Sequence, residues 1–367
     1  PLSGWLSARM GRKNFFISCI LGFTAASFLC GIAVSLSMII VCRLIQGLAG
    51  GGLQPSQQAI IRDIFPKEKM GMAFAITGIT TILAPVIGPV AGGYITDNFD
   101  WRWIFFINVP IGLAAAFLSH LLLQDPPGMK REKSSVDYIG LGLVSVGIGA
   151  LQLVLDKGQE EDWFSSNFIV TLSCISAVGL IYAAFWLLKQ KDPIINLKLF
   201  RFRSFSMPCM VLFFVGFALY SGTALMPMMV QQDFGYDRTL SGLVLSPAGL
   251  VIIFIMPIVG MLVNRIQARY LILFGLLVSS AGMWMTSLVT PQTDYMTFVC
   301  MRIAQMIGVP FLFVSASTLA FSRISAEDNS NASAILTFMR NIGGSIGIAV
   351  VMNKMVSSEQ TEQAHLV

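Results

Sequence analysis

Residues Met70 to Pro110 read MGMAFAITGITTILAPVIGPVAGGYITDNFDWRWIFFINVP, and the part up to Ile95 carries no charge. A helix crossing the hydrocarbon core of a bilayer needs about 20 apolar residues, so this part is long enough to span. Pro85, Gly88, Pro89, Gly92 and Gly93 interrupt it. In an isolated helix in water each glycine would cost about 1 kcal/mol and each proline about 3 kcal/mol. Inside a membrane bundle, neighbouring helices re-satisfy the backbone groups that proline frees, and small residues let two backbones approach closely. The span is built to bend and to pack.

The rest of the chain has the same character. Of 367 residues 55% are hydrophobic and 12% charged, about half the charged fraction of an average soluble protein. Apolar stretches long enough to cross a membrane lie at 15–34, 38–61, 70–95, 103–123, 138–155, 167–188, 206–230, 240–262, 270–289, 295–321 and 333–353, which predicts an all-α integral membrane protein with eleven full spans. Pro1 to Ala8 remains as an apolar stub, and Ser357 to Val367 as a polar tail.

Charge orients the spans. Of 24 Lys and Arg, 17 fall in alternate connections: Arg9, Arg12 and Lys13; Arg62, Lys67 and Lys69; Lys130, Arg131 and Lys133; Lys189, Lys191, Lys198, Arg201 and Arg203; Arg265 and Arg269; and Arg323. Arg102, Lys157, Arg238 and Lys354 lie on the other side. The positive-inside rule makes the first set cytoplasmic. The net charge of +5 follows from those loops, so no nucleic-acid partner is needed to explain it. The six cysteines all fall within spans, without a CxxC pair or a histidine at ligand spacing, and His120 and His365 are isolated. No metal site and no catalytic constellation is expected, and the chain reads as a carrier rather than an enzyme.

Two stretches repeat in order. Arg43-Leu44-Ile45-Gln46 recurs 259 positions later as Arg302-Ile303-Ala304-Gln305, and Ile87-Gly88-Pro89-x-x-Gly92 recurs 255 positions later as Ile342-Gly343-Gly344-x-x-Gly347. Adjacent matches at nearly one offset imply two homologous halves. The expected organisation is an N-terminal bundle at 1–124, a two-helix insert with cytoplasmic linkers at 125–203, a C-terminal bundle at 204–354, and the start of a periplasmic loop at 355–367. By this count the parent has fourteen helices, two pseudo-symmetric six-helix bundles plus two inserted helices. The chain then lacks helix one, most of helix two and the last helix, which would leave Arg43 and the glycine stripes uncovered.

Gly88-Pro89-x-x-Gly92-Gly93 resembles the antiporter motif of drug exporters in the major facilitator superfamily. Trp101-Arg102-Trp103-Ile104-Phe105-Phe106-Ile107-Asn108-Val109-Pro110 is similar to the following segment of their 14-helix drug:proton antiporter branch. Arg43-x-x-Gln46-Gly47 and the run Gly50-Gly51-Gly52 resemble the fourth-helix motif, whose arginine the family implicates in proton coupling; Gln46 shares its face at i,i+3. Gly4-x-Leu6-x-x-Arg9-x-Gly11-Arg12-Lys13 resembles the cytoplasmic gate loop between helices two and three, with Ala8 where the pattern has aspartate. The loop DKGQEEDWFSSN at 156–167 and Leu151-Gln152-Leu153 are similar to the Gram-negative members. The resemblance implies proton-coupled multidrug efflux by alternating access across the bacterial inner membrane, powered by the proton gradient without a bound cofactor. Its partners would be lipophilic drug-like substrates, the lipid bilayer, a periplasmic adaptor and an outer-membrane channel. An exporter dedicated to one metabolite or siderophore, or an inactive truncated membrane protein, are the alternatives.

Candidate functional residues follow. Arg43 lies inside an apolar span, where a charge costs about 2.5–3.5 kcal/mol or more and so faces a cavity or a partner, unless it snorkels to the near interface. Arg302 and Arg340 are the in-span charges of the second half, and Arg340 could instead hold a carbonyl exposed at Gly343-Gly344. No carboxylate occupies the middle of a span. The family's favoured proton site is an aspartate of the first helix, and Asp156 at a span end is the nearest visible substitute. A solvated ion pair with Lys157 explains Asp156 equally. Tyr220, Gln305 and Arg340 are candidates to line a substrate cavity, and the methionines of 206–230 could supply adaptable apolar surface or face lipid.

Overall fold

In a computed structural model that describes residues 2–125, 137–190, 193–325 and 328–366, these apolar stretches form helices joined by short connections. The basic residues Lys130, Arg131, Lys133 and Lys191 lie outside the described residues. The first half comprises α1 (Leu2–Met10), α2 (Arg12–Gly31), α3 (Leu36–Gly50), α4 (Leu53–Ile64), α5 (Met70–Asn98), α6 (Trp103–Phe106) and α7 (Asn108–Leu122). The insert is the pair α8 (Tyr138–Lys157) and α9 (Asn167–Lys189), packed on each other. The second half comprises α10 (Arg203–Gln232), α11 (Arg238–Leu243), α12 (Ser246–Leu262), α13 (Ala268–Thr286), α14 (Tyr295–Ile307), α15 (Val309–Ala320) and α16 (Asn329–Leu366). Among the described residues ten helical stretches are long and apolar enough to cross a bilayer, and α5 holds a shorter apolar stretch, Met70–Ala84. The architecture is all-α.

Several helix starts are set by single side chains. Ser35, Asp137 and Asp237 each accept the backbone N–H three residues on, from Met38, Gly140 and Leu240, and such a cap is worth about 1 kcal/mol. Asp137 also accepts the Trp186 indole N–H at 2.8 Å, tying α8 to α9.

The structure departs from the sequence reading in three places. The spans expected at 38–61, 240–262 and 295–321 are each present as one stretch, Leu36–Ile64, Leu240–Leu262 and Tyr295–Arg323, but the regular helix lapses locally at Gly51–Gly52, Val244–Leu245 and Gly308, at glycine or just ahead of a proline. The gate segment is mostly helix: Gly4 and Arg9 lie on α1, and the turn is compressed into Gly11, whose φ of +88° favours glycine. The tail expected to leave as loop continues α16 to Leu366, since nothing after Gly347 is glycine or proline and the polar residues there tolerate helix.

The largest apolar cluster lies between the halves. Ile61, Phe74 and Ile82 of the first half join Phe205, Leu219, Ile252, Met256, Phe313 and Leu336 of the second, with Phe74 stacked on Phe321 at 5.4 Å. The first half's own cluster is small, Cys30, Cys42 and Phe105. Cross-half contacts include the face bearing the basic loops. There Gly71 of α5 meets Val263 and Gly260, and Asn264 donates to the Glu68 carbonyl at 2.6 Å.

Candidate functional site

Two polar clusters sit inside the bundles at equivalent places. In the first, Arg43 Nη1 on α3 donates to Gln46 Oε1 at 3.1 Å, and Gln46 Nε2 donates to Ser27 Oγ on α2 at 2.6 Å. The Arg43 Cζ stands 4.7 Å from the Phe105 ring centre, a cation–π contact. In the second, Arg302 Nη1 on α14 donates to Gln305 Oε1 at 3.1 Å, and Gln305 Nε2 donates to Thr286 Oγ1 on α13. Ser27 and Thr286 are separated by the same 259 positions as the arginines and glutamines. Ser27, Thr286 and Thr223 were not singled out from the sequence; extending the repeat comparison one span upstream would have found the first two.

The clusters differ in burial. Arg302 is fully buried and its Nη2 donates to Thr223 Oγ1 of α10 at 2.6 Å. Arg43 is exposed, although Gln46 beneath it is buried.

A third arginine links the halves. Arg340, 2% exposed on α16, donates from Nη2 to Gln54 Oε1 of α4, adjoins Tyr220, and has its Cζ 5.9 Å from the Phe313 ring. It therefore does not hold a carbonyl at Gly343-Gly344; α16 runs through both glycines unbroken. Gln54 gave no signal in the sequence, because an amide beside a glycine run reads as a break residue.

On the basic-loop face a polar seal closes the gap between halves. Arg12 pairs with Asp63, both side chains about nine-tenths buried, and Arg12 Nη1 also donates to the Ala59 carbonyl at 3.0 Å. Asp63 in turn accepts from Asn329 Nδ2 of α16 at 3.2 Å. Gly4 lies against Ser330 and Asn331. Asp125 accepts the Lys13 backbone N–H at 2.9 Å and lies so near Gly11 that a Cβ there would meet its carboxylate at 2.6 Å. Lys13 Nζ donates to the His120 carbonyl at 2.6 Å, and Arg9 stands over Trp5 at 5.1 Å. A counter-charge for Arg12 is thus Asp63 of α4.

The sequence model of the Major Facilitator Superfamily matches residues 1–348. The chain belongs to the major facilitator superfamily. Within it, the multidrug export protein EmrB of Escherichia coli (strain K12) is 33% identical over the whole chain, which covers 72% of that relative. EmrB of Haemophilus influenzae is 35% identical, again over the whole chain and 72% of the relative. Among solved structures the human organic anion transporter MFSD10 (TETRAN) superposes with a TM-score of 0.65 over 95% of this chain and 73% of the other. At 15% identity that likeness is one of fold. A transporter rather than an enzyme is what the superfamily makes of this chain.

The remaining superfamily-motif residues are placed as follows. Gly88, Gly92 and Gly93 of the antiporter motif have nothing within 4 Å of a Cβ among the described residues, and the Pro89 side chain lies outside them. No close contact at these glycines is present among the described residues; beyond the Gly71 end, α5 meets the second half at Val90 against Gly242. Its repeat counterpart is tight: a Cβ on Gly343 would overlap the Phe213 carbonyl and one on Gly347 would sit 2.6 Å from the Phe217 carbonyl. Asp156 is exposed, accepts from Gln152 at 2.9 Å, and is not joined to either arginine cluster. Gln305 is 8% exposed and occupied by Arg302 and Thr286, so it holds the arginine rather than lining open space. Tyr220 is half-buried beside Arg340.

Proposed function

We propose that this chain is the carrier of a proton-coupled multidrug exporter in the bacterial inner membrane, moving lipophilic drug-like compounds outward by alternating access. The observation that carries the reading is the polar and close-packed contact between the halves on the basic-loop side. Arg12, Asp63, Asn329 and the Gly71–Gly260 contact seal the basic-loop side, which the positive-inside rule makes cytoplasmic. Two pseudo-symmetric halves sealed at one end suit rocking about a central site. Multidrug export is what the names of the EmrB relatives state, and identity with them runs the full chain.

Arg43 does not itself carry the proton, since a guanidinium stays protonated in proteins. Its role is to lower the proton affinity of a carboxylate or water that comes beside it. The proton gradient supplies the energy, and a periplasmic adaptor and outer-membrane channel receive the substrate. The test is dye uptake into everted membrane vesicles from cells producing the protein. Energised vesicles accumulate dye, a protonophore abolishes the accumulation, and several unrelated lipophilic compounds compete. Uptake that ignores the protonophore, or competition by one compound alone, would refute the proposal.

A further inference from the structure

We propose that Cys30 and Cys42, with the Met38 thioether beside them, form a binding site for one soft monovalent metal ion of the Cu+ or Ag+ type, at the end of the α2–α3 hairpin away from the basic loops.

Twelve positions separate the two cysteines, so no local sequence motif announces the pair, and the hairpin is what brings them together. α2 starts at Arg12 on the basic-loop side, which puts Cys30 about 27 Å along it at 1.5 Å per residue, just before the helix ends at Gly31. α3 returns from Leu36, its start capped by Ser35, and carries Met38 and Cys42 one turn apart on one face. Cys30 and Cys42 are 0% and 5% exposed and share one cluster with Phe105, against which Met38 packs. The two thiols are hydrogen-bond partners. Cysteines used only for packing look different here. Cys19 and Cys209 are buried with no second thiol acting on them, and Cys174 and Cys300 are exposed.

Soft thiolate and thioether sulfur selects Cu+ over harder cations. Coordination exchanges two S–H bonds for two S–metal bonds: both protons leave to water, no electron is transferred, and two thiolates around one monovalent ion carry a single negative charge. Such a charge is costly in an apolar setting unless it is paired. Arg43 supplies the pairing charge. It follows Cys42 in the chain, acts electrostatically on Cys30, and stands 4.7 Å from the centre of the Phe105 ring that walls the cluster. Thiolates, metal ion and guanidinium then sum to zero. The Phe106 ring lies on Gly31, where a Cβ would meet it at 2.5 Å, and closes that side with apolar surface. Zn2+ is disfavoured by ligand number, since it takes four ligands and the described residues bring no three of His, Cys, Asp and Glu together.

The test titrates the purified full chain, reduced and kept free of oxygen, with Cu+ in competition with the coloured chelator bicinchoninate. One Cu+ per chain is expected to leave the chelator, and X-ray absorption at the copper edge should show two or three sulfur neighbours. Arg43→Gln should weaken binding about 10–100-fold, the range typical of groups that support metal ligands from outside, with Arg43→Lys closer to the wild type. Cys30→Ser and Cys42→Ser should each cost more than that, and Met38→Leu less than either. Cys174→Ser and Cys300→Ser should change nothing. Copper that stays with the chelator overturns the proposal, as does unchanged affinity in either Cys30→Ser or Cys42→Ser, or displacement of Cu+ by equimolar Zn2+. Should the serine variants fail to fold, fewer than two sulfur neighbours around copper in the wild type overturns it alone. So does an intact mass lower by two hydrogens after reduction, which would make the pair a disulfide with no thiolates to offer.

Discussion

Arg43 and Arg302 occupy the same place in two copies of one motif, each bonded to a glutamine three residues on and through it to a hydroxyl on the preceding helix. One is exposed and the other fully buried. The glycine motif divides the same way, with Gly343 and Gly347 pressed on the backbone of α10 and, among the described residues, nothing within 4 Å of a Cβ at Gly88, Gly92 or Gly93. In the second half α10 covers both motifs. No described helix does so in the first. A repeat therefore fixes local hydrogen bonding, which travels with the sequence, while burial is decided by what lies alongside. The seal divides in the opposite sense, since the buried Arg12–Asp63 pair belongs to the first half and the positions 259 further on are Leu271 and Ser322.

The sharpest way to break this comparison is to enlarge matched glycines and follow thermal melting of the purified protein. Gly343→Val must displace backbone and is expected to cost more than about 3 kcal/mol or abolish folded protein, whereas Gly88→Val, facing open space, should cost under about 1 kcal/mol. Equal losses would mean that the two copies are packed alike. Next in size, Asp63→Asn leaves Arg12 without its counter-charge in a buried setting and should cost about 2–3 kcal/mol, measured by the same melting. Arg302→Ala should then cost about 2 kcal/mol through lost packing and orphaned acceptors on Gln305 and Thr223, against under about 1 kcal/mol for Arg43→Ala. The smallest pair, Ser27→Ala and Thr286→Ala, should each lose about 1 kcal/mol, one hydrogen bond apiece. A large difference between these two would show that the clusters are not equivalent.

Most of the helical architecture was legible because an apolar span has one reading in a bilayer, and the pairing of Arg43 with Gln46 follows from helix spacing alone. The breaks at Gly51–Gly52 and Gly308 were less so. A glycine run marks where a helix is free to lapse without saying that it does. Gln54 and Asn329 were not legible at all, since each acts through a partner hundreds of positions away that only the approach of the two halves supplies. The neighbour of Gly88–Gly93 was not legible either: a stripe of small residues states that a neighbour could come close, and the neighbour is set by tertiary packing.

The proposed coupling rests on Arg43. Drug-induced proton movement in proteoliposomes of the purified protein, with Arg43→Gln set beside Arg302→Lys, tests this most directly. Arg43→Gln is predicted to abolish drug-driven proton movement while melting within a few degrees of the wild type, and Arg302→Lys to melt lower yet keep measurable coupling. Coupling at the wild-type level in Arg43→Gln would contradict the account and leave Arg43 as a side chain that merely reaches the membrane interface.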